Sequence, residues 1–198
     1  TIASHLTTLL RERFGKDANE IVYAIDHATH FPGPARAPSK KVRVGLVGPY
    51  EIAWKDIATG IAACRLAAAA GLQLELVRVT NTQPHAQEQN LPFPVEWHQQ
   101  VPPDRMGDIY RSLDVFLGTS RGKEEGFFLP AVEAMACGVP CVLTDIPCFR
   151  AHGDHQYALF VPPQDPAAMA EALVVAGCTP DVATALRSGG IAAARRYT

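Results

Sequence analysis

The sequence predicts an α/β protein built on a doubly wound, mainly parallel sheet. From residue 42 onward, short apolar segments alternate with longer segments of helical character. The short segments are apolar without a break, which is typical of strands covered on both faces of a parallel sheet. The chain has 198 residues, of which 47% are hydrophobic and 19% charged, enough to bury a sizeable core. Right-handed crossovers then place helices on both faces of the sheet.

The first 41 residues differ from the rest of the chain. Ser4–Phe14 is predicted to be a helix, because leucines recur at helical spacing, Ser4 can act as its N-cap and Gly15 can end it. Residues 21–25 form a short apolar segment and are predicted to be a strand. Residues 32–41 are rich in proline and have no apolar periodicity, so they are predicted to be a linker.

The remaining elements follow in regular alternation. Predicted strands cover residues 42–47, 72–79, 95–97, 115–117, 140–143 and 158–161. Predicted helices cover residues 56–70, 103–113, 130–136, 166–175 and 182–196. The last helix is expected to be interrupted at Gly189 and Gly190, since glycine weakens a helix interior.

Composition and charge exclude several classes of partner. The net charge of −2 gives no electrostatic reason for binding nucleic acid. The longest apolar stretch, residues 61–72, is too short for a transmembrane segment, and no basic-then-apolar leader begins the chain. Five cysteines without a Cys-x-x-Cys motif predict reduced, buried thiols in a cytoplasmic protein. His152 and His155 have no third ligand nearby and are predicted to be solvated, so no metal site is expected.

Ligands of a doubly wound sheet bind at the carboxyl ends of its strands. Residues 48–55, 97–103 and 118–130 form the loops at that edge, and the last of these is the richest in chemistry. Pro130 suits the first turn of the helix that follows it, and the free amides and dipole of such a turn suit a phosphate.

Two glutamates and a lysine stand out at this edge. Glu133 lies about one turn into the helix, where a carboxylate can accept hydrogen bonds from a ribose diol. Glu125, in the loop itself, can accept hydrogen bonds from a second polyol such as a sugar. Each glutamate taken alone also fits a solvated surface charge. Lys55 stands at a helix start, where a cation is unfavourable unless something anionic binds there.

Residues 125–142 resemble the Glu-x7-Glu signature of glycosyltransferase family 4, the "group 1" retaining enzymes of the two-Rossmann-domain GT-B fold. The resemblance runs from about residue 42 to residue 197. It assigns residues 42–198 to the C-terminal, nucleotide-sugar-binding domain of such an enzyme. Residues 1–31 resemble the end of the family's N-terminal acceptor domain, with residues 32–41 as the interdomain linker. On this reading most of the acceptor domain is missing.

The resemblance implies transfer of a sugar from an NDP-sugar to an acceptor with retention of configuration, without a metal or other cofactor. It assigns Glu125 to the sugar hydroxyls and Glu133 to the ribose. Lys55 and the backbone amides of Gly126, Phe127 and Phe128 would hold the diphosphate. The acceptor, which is a glycan, a lipid or a small molecule, would bind mainly to the missing domain. This half alone would then be inactive, and a peripheral membrane position of the parent protein stays open.

One position departs from the family pattern. The family places an arginine six residues before the lysine, and Pro49 stands there in this chain. Arg121 or Lys123 is the candidate for a replacement charge. Gln99 and Val101 fall in the loop where the family reads the base through backbone groups. An inactive nucleotide-binding or scaffold module, and a phosphorylase- or epimerase-type enzyme, therefore remain alternatives.

Overall fold

The computed structural model describes residues 1–34, 39, 41–153 and 156–198. Six parallel strands form one sheet in the order β3-β2-β1-β4-β5-β6. The strands are β1 Val42–Val47, β2 Leu74–Thr80, β3 Val95–Gln99, β4 Val115–Gly118, β5 Cys141–Thr144 and β6 Leu159–Val161. The helices are α1 Ser4–Phe14, α2 Ile57–Ala69, α3 Pro103–Arg111, α4 Leu129–Ala136, α5 Pro147–Arg150, α6 Pro166–Cys178 and α7 Pro180–Ala194. The predicted doubly wound α/β class is confirmed.

Helices cover the sheet on both faces because its strands are apolar on both sides. Phe116 and Met135 belong to the core on the α3 and α4 face. Leu46 and Ile61 belong to the core on the opposite face, which α2 and α6 cover. Gly45 of β1 lets Leu113 approach closely, since a Cβ there would lie 2.3 Å from Leu113 Cδ1. These two cores hold the strand ends, and hence the loops, in fixed positions.

The strand order reverses between β1 and β4. The chain runs outward from β1 through β2 to β3, and then returns to place β4 on the other side of β1. The loops that leave β1 and β4 therefore diverge to opposite faces, and a crevice opens between them. These two loops are residues 48–55 and 118–130, two of the three that the sequence indicates.

Several local predictions for the N-terminal segment need correction. Residues 21–25 form no strand, and the side chain of Ile21 is 75% exposed. A strand needs a neighbour, and the amide of Ile25 instead donates to the carbonyl of Tyr197 after α7. Ser4 does not cap α1: Ala3 holds the N-cap position without a side-chain hydrogen bond. Gly15 does end the helix, in a left-handed conformation with φ +59°.

Helix α7 also differs from the prediction, because it runs through both glycines without a break. A Cβ at Gly189 would lie 1.9 Å from the carbonyl oxygen of Gln156, and one at Gly190 would lie 3.2 Å from Met135 Cγ. The two glycines therefore permit close packing of α7. Of the predicted linker, residues 35–38 and 40 lie outside the described part of the chain.

The titratable side chains bring two further corrections. His152 is fully buried and shares a 2.7 Å hydrogen bond with the hydroxyl of Tyr197, so it is not solvated. His155 lies outside the described residues. Cys178 is exposed, because it ends α6 at the surface, whereas the other four cysteines are buried as predicted. Over the described ranges no single helix is long and apolar enough to cross a membrane, although α6 and α7, bent by 95°, pass that test as a pair.

Candidate functional site

The loops after β1 and β4 are hydrogen-bonded to each other. The hydroxyl of Thr119 donates to the carbonyl of Lys55 at 2.6 Å, and the amide of Arg121 donates to the carbonyl of Trp54 at 2.9 Å. Gly48 takes a positive φ of 131° where the chain leaves β1. The crevice at the reversal of strand order is therefore a preformed structure whose two walls are joined.

Lys55 and Glu125 meet in this crevice. Lys55 Nζ donates to Glu125 Oε2 at 2.6 Å, and Ser120 Oγ donates to the same oxygen at 2.7 Å. The two charged side chains are only 17% and 7% exposed. The ammonium also lies 4.4 Å from the centre of the Phe128 ring, a cation–π distance. The two residues that the resemblance assigns to sugar and diphosphate thus form one largely buried ion pair.

Glu133 lies one turn into α4, and its carboxylate is hydrogen-bonded at one oxygen. The hydroxyl of Tyr110, in α3, donates to Glu133 Oε2 at 2.8 Å. His30 Nε2 lies 4.0 Å from the other carboxylate oxygen, Oε1. Burial of Tyr110, together with the nearby charge of Glu133, raises the pKa of the phenol well above its ordinary value. The hydroxyl therefore stays a donor to the carboxylate.

The start of α4 offers backbone donors to the crevice. Phe128 is its N-cap, and among the described residues no side chain caps this turn. The orphan amides of a first turn bind anions, which the helix dipole also favours. The N-terminal segment packs over this loop: a Cβ at Gly126 would lie 3.1 Å from Ile2 Cδ1, and the Phe127 ring lies 5.6 Å from that of Tyr23.

Gln99 and Val101 lie apart from the ion pair. Gln99 is the last residue of β3 and Val101 follows that strand, which β2 separates from β1. The Gln99 side-chain amide donates to the carbonyl of Thr82 at 3.1 Å, and Gln100 has a positive φ of 50°. The loop therefore turns sharply at the end of β3, beside the crevice rather than in it.

Among the described residues of β1 and its loop, Arg43 is the one basic side chain besides Lys55, and it pairs with Glu75 and Glu96, so it is no second member of the expected basic pair. Arg78 donates to the carbonyl of Gly48 at 2.6 Å, directly before Pro49, but its side chain is fully buried and paired with Glu88 at 2.6 Å. Burial lowers the pKa of Arg78, and the charge of Glu88 opposes that effect. Arg78 therefore supports the loop from beneath and does not supply a charge at its surface.

Arg121 and Lys123 are both exposed in the loop that contains Glu125. Neither forms an ion pair within the described ranges, so both charges remain available at the rim of the crevice. Their placement fits a replacement for the cation missing at Pro49.

Sequence reasoning missed three side chains around the predicted residues: Tyr110, His30 and Ser120. Tyr110 looked like an ordinary core residue of a helix, and its hydroxyl is the signal that could have marked it, since a buried phenol needs a partner. His30 comes from the N-terminal segment, far from α4 in sequence. No local pattern points from it to Glu133. Ser120 directly follows Thr119 at the end of β4, where a polar pair in a buried stretch is a usable signal.

The same edge carries no three-residue acidic, His or Cys cluster of metal-binding type within the described ranges. A separate cavity of about 410 Å³ lies at the opposite edge of the sheet. Its lining includes Val42 at the start of β1, Pro140 before β5 and Cys178 at the end of α6. It shares no lining residue with the crevice.

The model of the family described as "Glycosyl transferases group 1" matches residues 41–176. The lipopolysaccharide core biosynthesis mannosyltransferase LpsB of Rhizobium meliloti is 38% identical over 78 residues, which cover 38% of this chain and 20% of LpsB. A mutant of S. aureus TarM in complex with Fondaparinux, alpha-GlcNAc-glycerol and UDP superposes with TM-score 0.82 at 15% identity, over 100% of this chain and 40% of TarM. The C-terminal domain of the group 1 protein LpcC from Francisella tularensis gives TM-score 0.70 at 16% identity, over 87% of this chain and 97% of that domain.

A six-stranded parallel sheet with a polar crevice at its reversal point defines a Rossmann-like α/β domain of the GT-B type. The chain belongs to the glycosyl transferases group 1 family, because the family model covers more than half of it. It spans one fifth of the length of LpsB and two fifths of that of TarM, while it matches nearly all of the isolated LpcC domain.

Proposed function

We propose that this chain is the donor-binding half of a retaining glycosyltransferase of the hexosyltransferase type, which transfers a sugar from an NDP-sugar to an acceptor. The Lys55–Glu125 pair carries the proposal, because it places a cation and a polyol acceptor together at the reversal point. Glu133, which lies one turn into α4, would accept hydrogen bonds from the ribose hydroxyls. The UDP named in the TarM complex supports a nucleotide-sugar donor, and the name of LpsB supports transfer of a hexose.

The proposed chemistry breaks the bond between the anomeric carbon and the phosphate oxygen and forms a bond between that carbon and the oxygen of an acceptor hydroxyl, whose proton passes to the leaving diphosphate. The leaving nucleoside diphosphate gains negative charge as the first bond breaks. Lys55 and the first-turn amides of α4 are fixed before the reaction, so they stabilise that charge without reorganisation. Glu125 would orient the sugar. This scheme needs no metal or other cofactor.

The proposal extends to the parent protein. Residues 1–31 would be the end of an acceptor-binding domain that holds a glycan, a lipid or a small molecule, and residues 32–41 the linker to it. The reaction requires two domains to close around the donor, so this half alone would bind nucleotide without catalysing transfer. The parent enzyme would act in the cytoplasm or at the cytoplasmic membrane surface.

A scaffold without catalytic function is the second candidate, and Pro49 favours it. The position expected to hold an arginine has no charge, and Arg78 beneath it is buried in an ion pair with Glu88. A domain that lost one of its two diphosphate-binding cations would keep the fold and no longer bind the nucleotide. The third reading, a phosphorylase-type enzyme, requires release of a sugar 1-phosphate by the full-length protein.

Calorimetry with UDP, GDP and ADP separates the first two candidates. We expect micromolar to millimolar binding of one nucleotide, which Glu133→Ala weakens but leaves measurable at higher nucleotide concentration. The loss of hydrogen bonds to a charged group costs about 1.5–3 kcal/mol each, or roughly 10- to 100-fold in affinity. Glu171→Ala, which removes an exposed glutamate of α6, serves as the matched control. If none of the three nucleotides gives detectable binding, the scaffold is supported and the transferase is rejected.

A further inference from the structure

The contact between Tyr110 and Glu133 joins two helices at the nucleotide crevice. Tyr110 is the eighth residue of α3 and is completely buried, with its ring beside that of Phe116 at a centroid distance of 6.0 Å. Its hydroxyl extends away from this packing to Glu133 Oε2, at 2.8 Å. The rigid ring therefore holds the donor atom in one place relative to the sheet.

Glu133 keeps part of its surface free despite this contact. Its side chain is 20% exposed, whereas Tyr110 is inaccessible. A carboxylate has about four lone-pair sites, and the phenol uses one of them. His30 Nε2, at 4.0 Å from Oε1, lies beyond hydrogen-bonding distance and leaves that oxygen unfilled. The carboxylate is thus fixed at one oxygen and still able to accept further hydrogen bonds.

A glutamate side chain has three rotatable bonds, and recognition of a diol demands one orientation of its carboxylate. A free glutamate would pay conformational entropy each time it ordered on a ligand. The buried phenol removes that cost in advance. We propose that Tyr110 is the positioning residue that fixes Glu133 for recognition of the ribose hydroxyls of a nucleoside diphosphate. This inference rests on the proposed donor-binding function.

The test measures discrimination between ribose and deoxyribose. Binding is followed by calorimetry for UDP against dUDP, GDP against dGDP and ADP against dADP. The wild-type chain is expected to prefer the ribonucleotide by about 10- to 100-fold, as for the loss of one charge-assisted hydrogen bond. Tyr110→Phe keeps the buried ring and removes only the hydroxyl. It should reduce this preference to roughly 3-fold or less, because Glu133 then samples other orientations.

Two comparisons separate positioning from a general loss of packing. Tyr157→Phe is the matched control: that hydroxyl is also buried and donates to the carbonyl of Phe149 at 2.6 Å. It should leave the ribose preference unchanged. In a Glu133→Ala background the preference is expected to be lost, and adding Tyr110→Phe should change it no further, since Tyr110 acts through Glu133.

The results for Tyr110→Phe, for Tyr157→Phe and for the wild-type chain each have an outcome that would overturn the proposal. An unchanged ribose preference in Tyr110→Phe overturns the positioning role, and so does an equal fall in Tyr157→Phe. Equal binding of ribose and deoxyribose nucleotides by the wild-type chain overturns the role while leaving nucleotide binding intact. A wild-type chain that binds none of the six nucleotides overturns the proposed function as well.

Discussion

The coupling between Lys55 and Glu125 can be measured without any ligand. Lys55→Met removes the cation and leaves a carboxylate that is 7% exposed with Ser120 as its hydrogen-bond donor. Glu125→Gln removes the opposite charge. Because both side chains are largely buried and only 2.6 Å apart, their interaction is expected to contribute about 2 kcal/mol to the free energy of unfolding. Each single change should cost about that amount or more, and the double change less than their sum.

Urea denaturation followed by tryptophan fluorescence gives the four free energies of this double-mutant cycle, and Trp54 adjoins the site. Arg150 and Asp145 provide the matched control. Their two hydrogen bonds are 2.7 and 2.8 Å long, but both side chains are about half exposed, so a coupling of about 1 kcal/mol or less is expected. A coupling free energy between Lys55 and Glu125 below about 0.5 kcal/mol, or no larger than that of the control pair, would refute a stabilising interaction between the two buried side chains.

Three further outcomes follow from the buried groups. Glu88→Ala leaves Arg78 buried without its carboxylate and should lower the free energy of unfolding by about 3–5 kcal/mol in urea, against about 0.5 kcal/mol for Glu171→Ala. Burial lowers the pKa of His152 to about 4, so the unfolded chain binds more protons than the folded chain between pH 6.5 and 4. The free energy of unfolding should therefore fall by about 3 kcal/mol as the pH drops through that range. A free energy of unfolding that does not change between these pH values would contradict the burial of His152. A thiol reagent should titrate one cysteine, Cys178, in the native chain and all five in urea; a second fast native thiol would contradict the burial of the others.

The order of strands and helices was predictable from the sequence because hydrophobic periodicity reports burial on both faces of a parallel sheet. The rule that ligands of such a sheet bind at the carboxyl ends of its strands also indicated that residues far apart in the chain lie at one edge. Lys55 and Glu125 are separated by 70 residues, yet both follow strands whose carboxyl ends meet at the reversal point. Their proximity was therefore expected from topology. The ion pair between them was not, since topology says nothing of side-chain orientation.

The failed predictions share a physical cause. Residues 21–25 have the composition of a strand, but no strand of the described chain lies alongside them; residues 21–24 are exposed, and Ile25 is buried. Gly190 would weaken an isolated helix, and its packing against Met135 outweighs that local preference. His152 looked solvated because its loop contains glycine, while its ring is buried among aromatic side chains such as Phe127 and Tyr197. In each case tertiary contacts override the local sequence.

A crystal structure of this chain with the nucleoside diphosphate that it binds would test the proposed donor site directly. We expect a diphosphate oxygen at hydrogen-bonding distance, about 3 Å, from Lys55 Nζ, and ribose hydroxyls at the same distance from the carboxylate of Glu133. A nucleotide bound in the cavity beside Pro140, or in the crevice with its ribose turned away from Glu133, would contradict it.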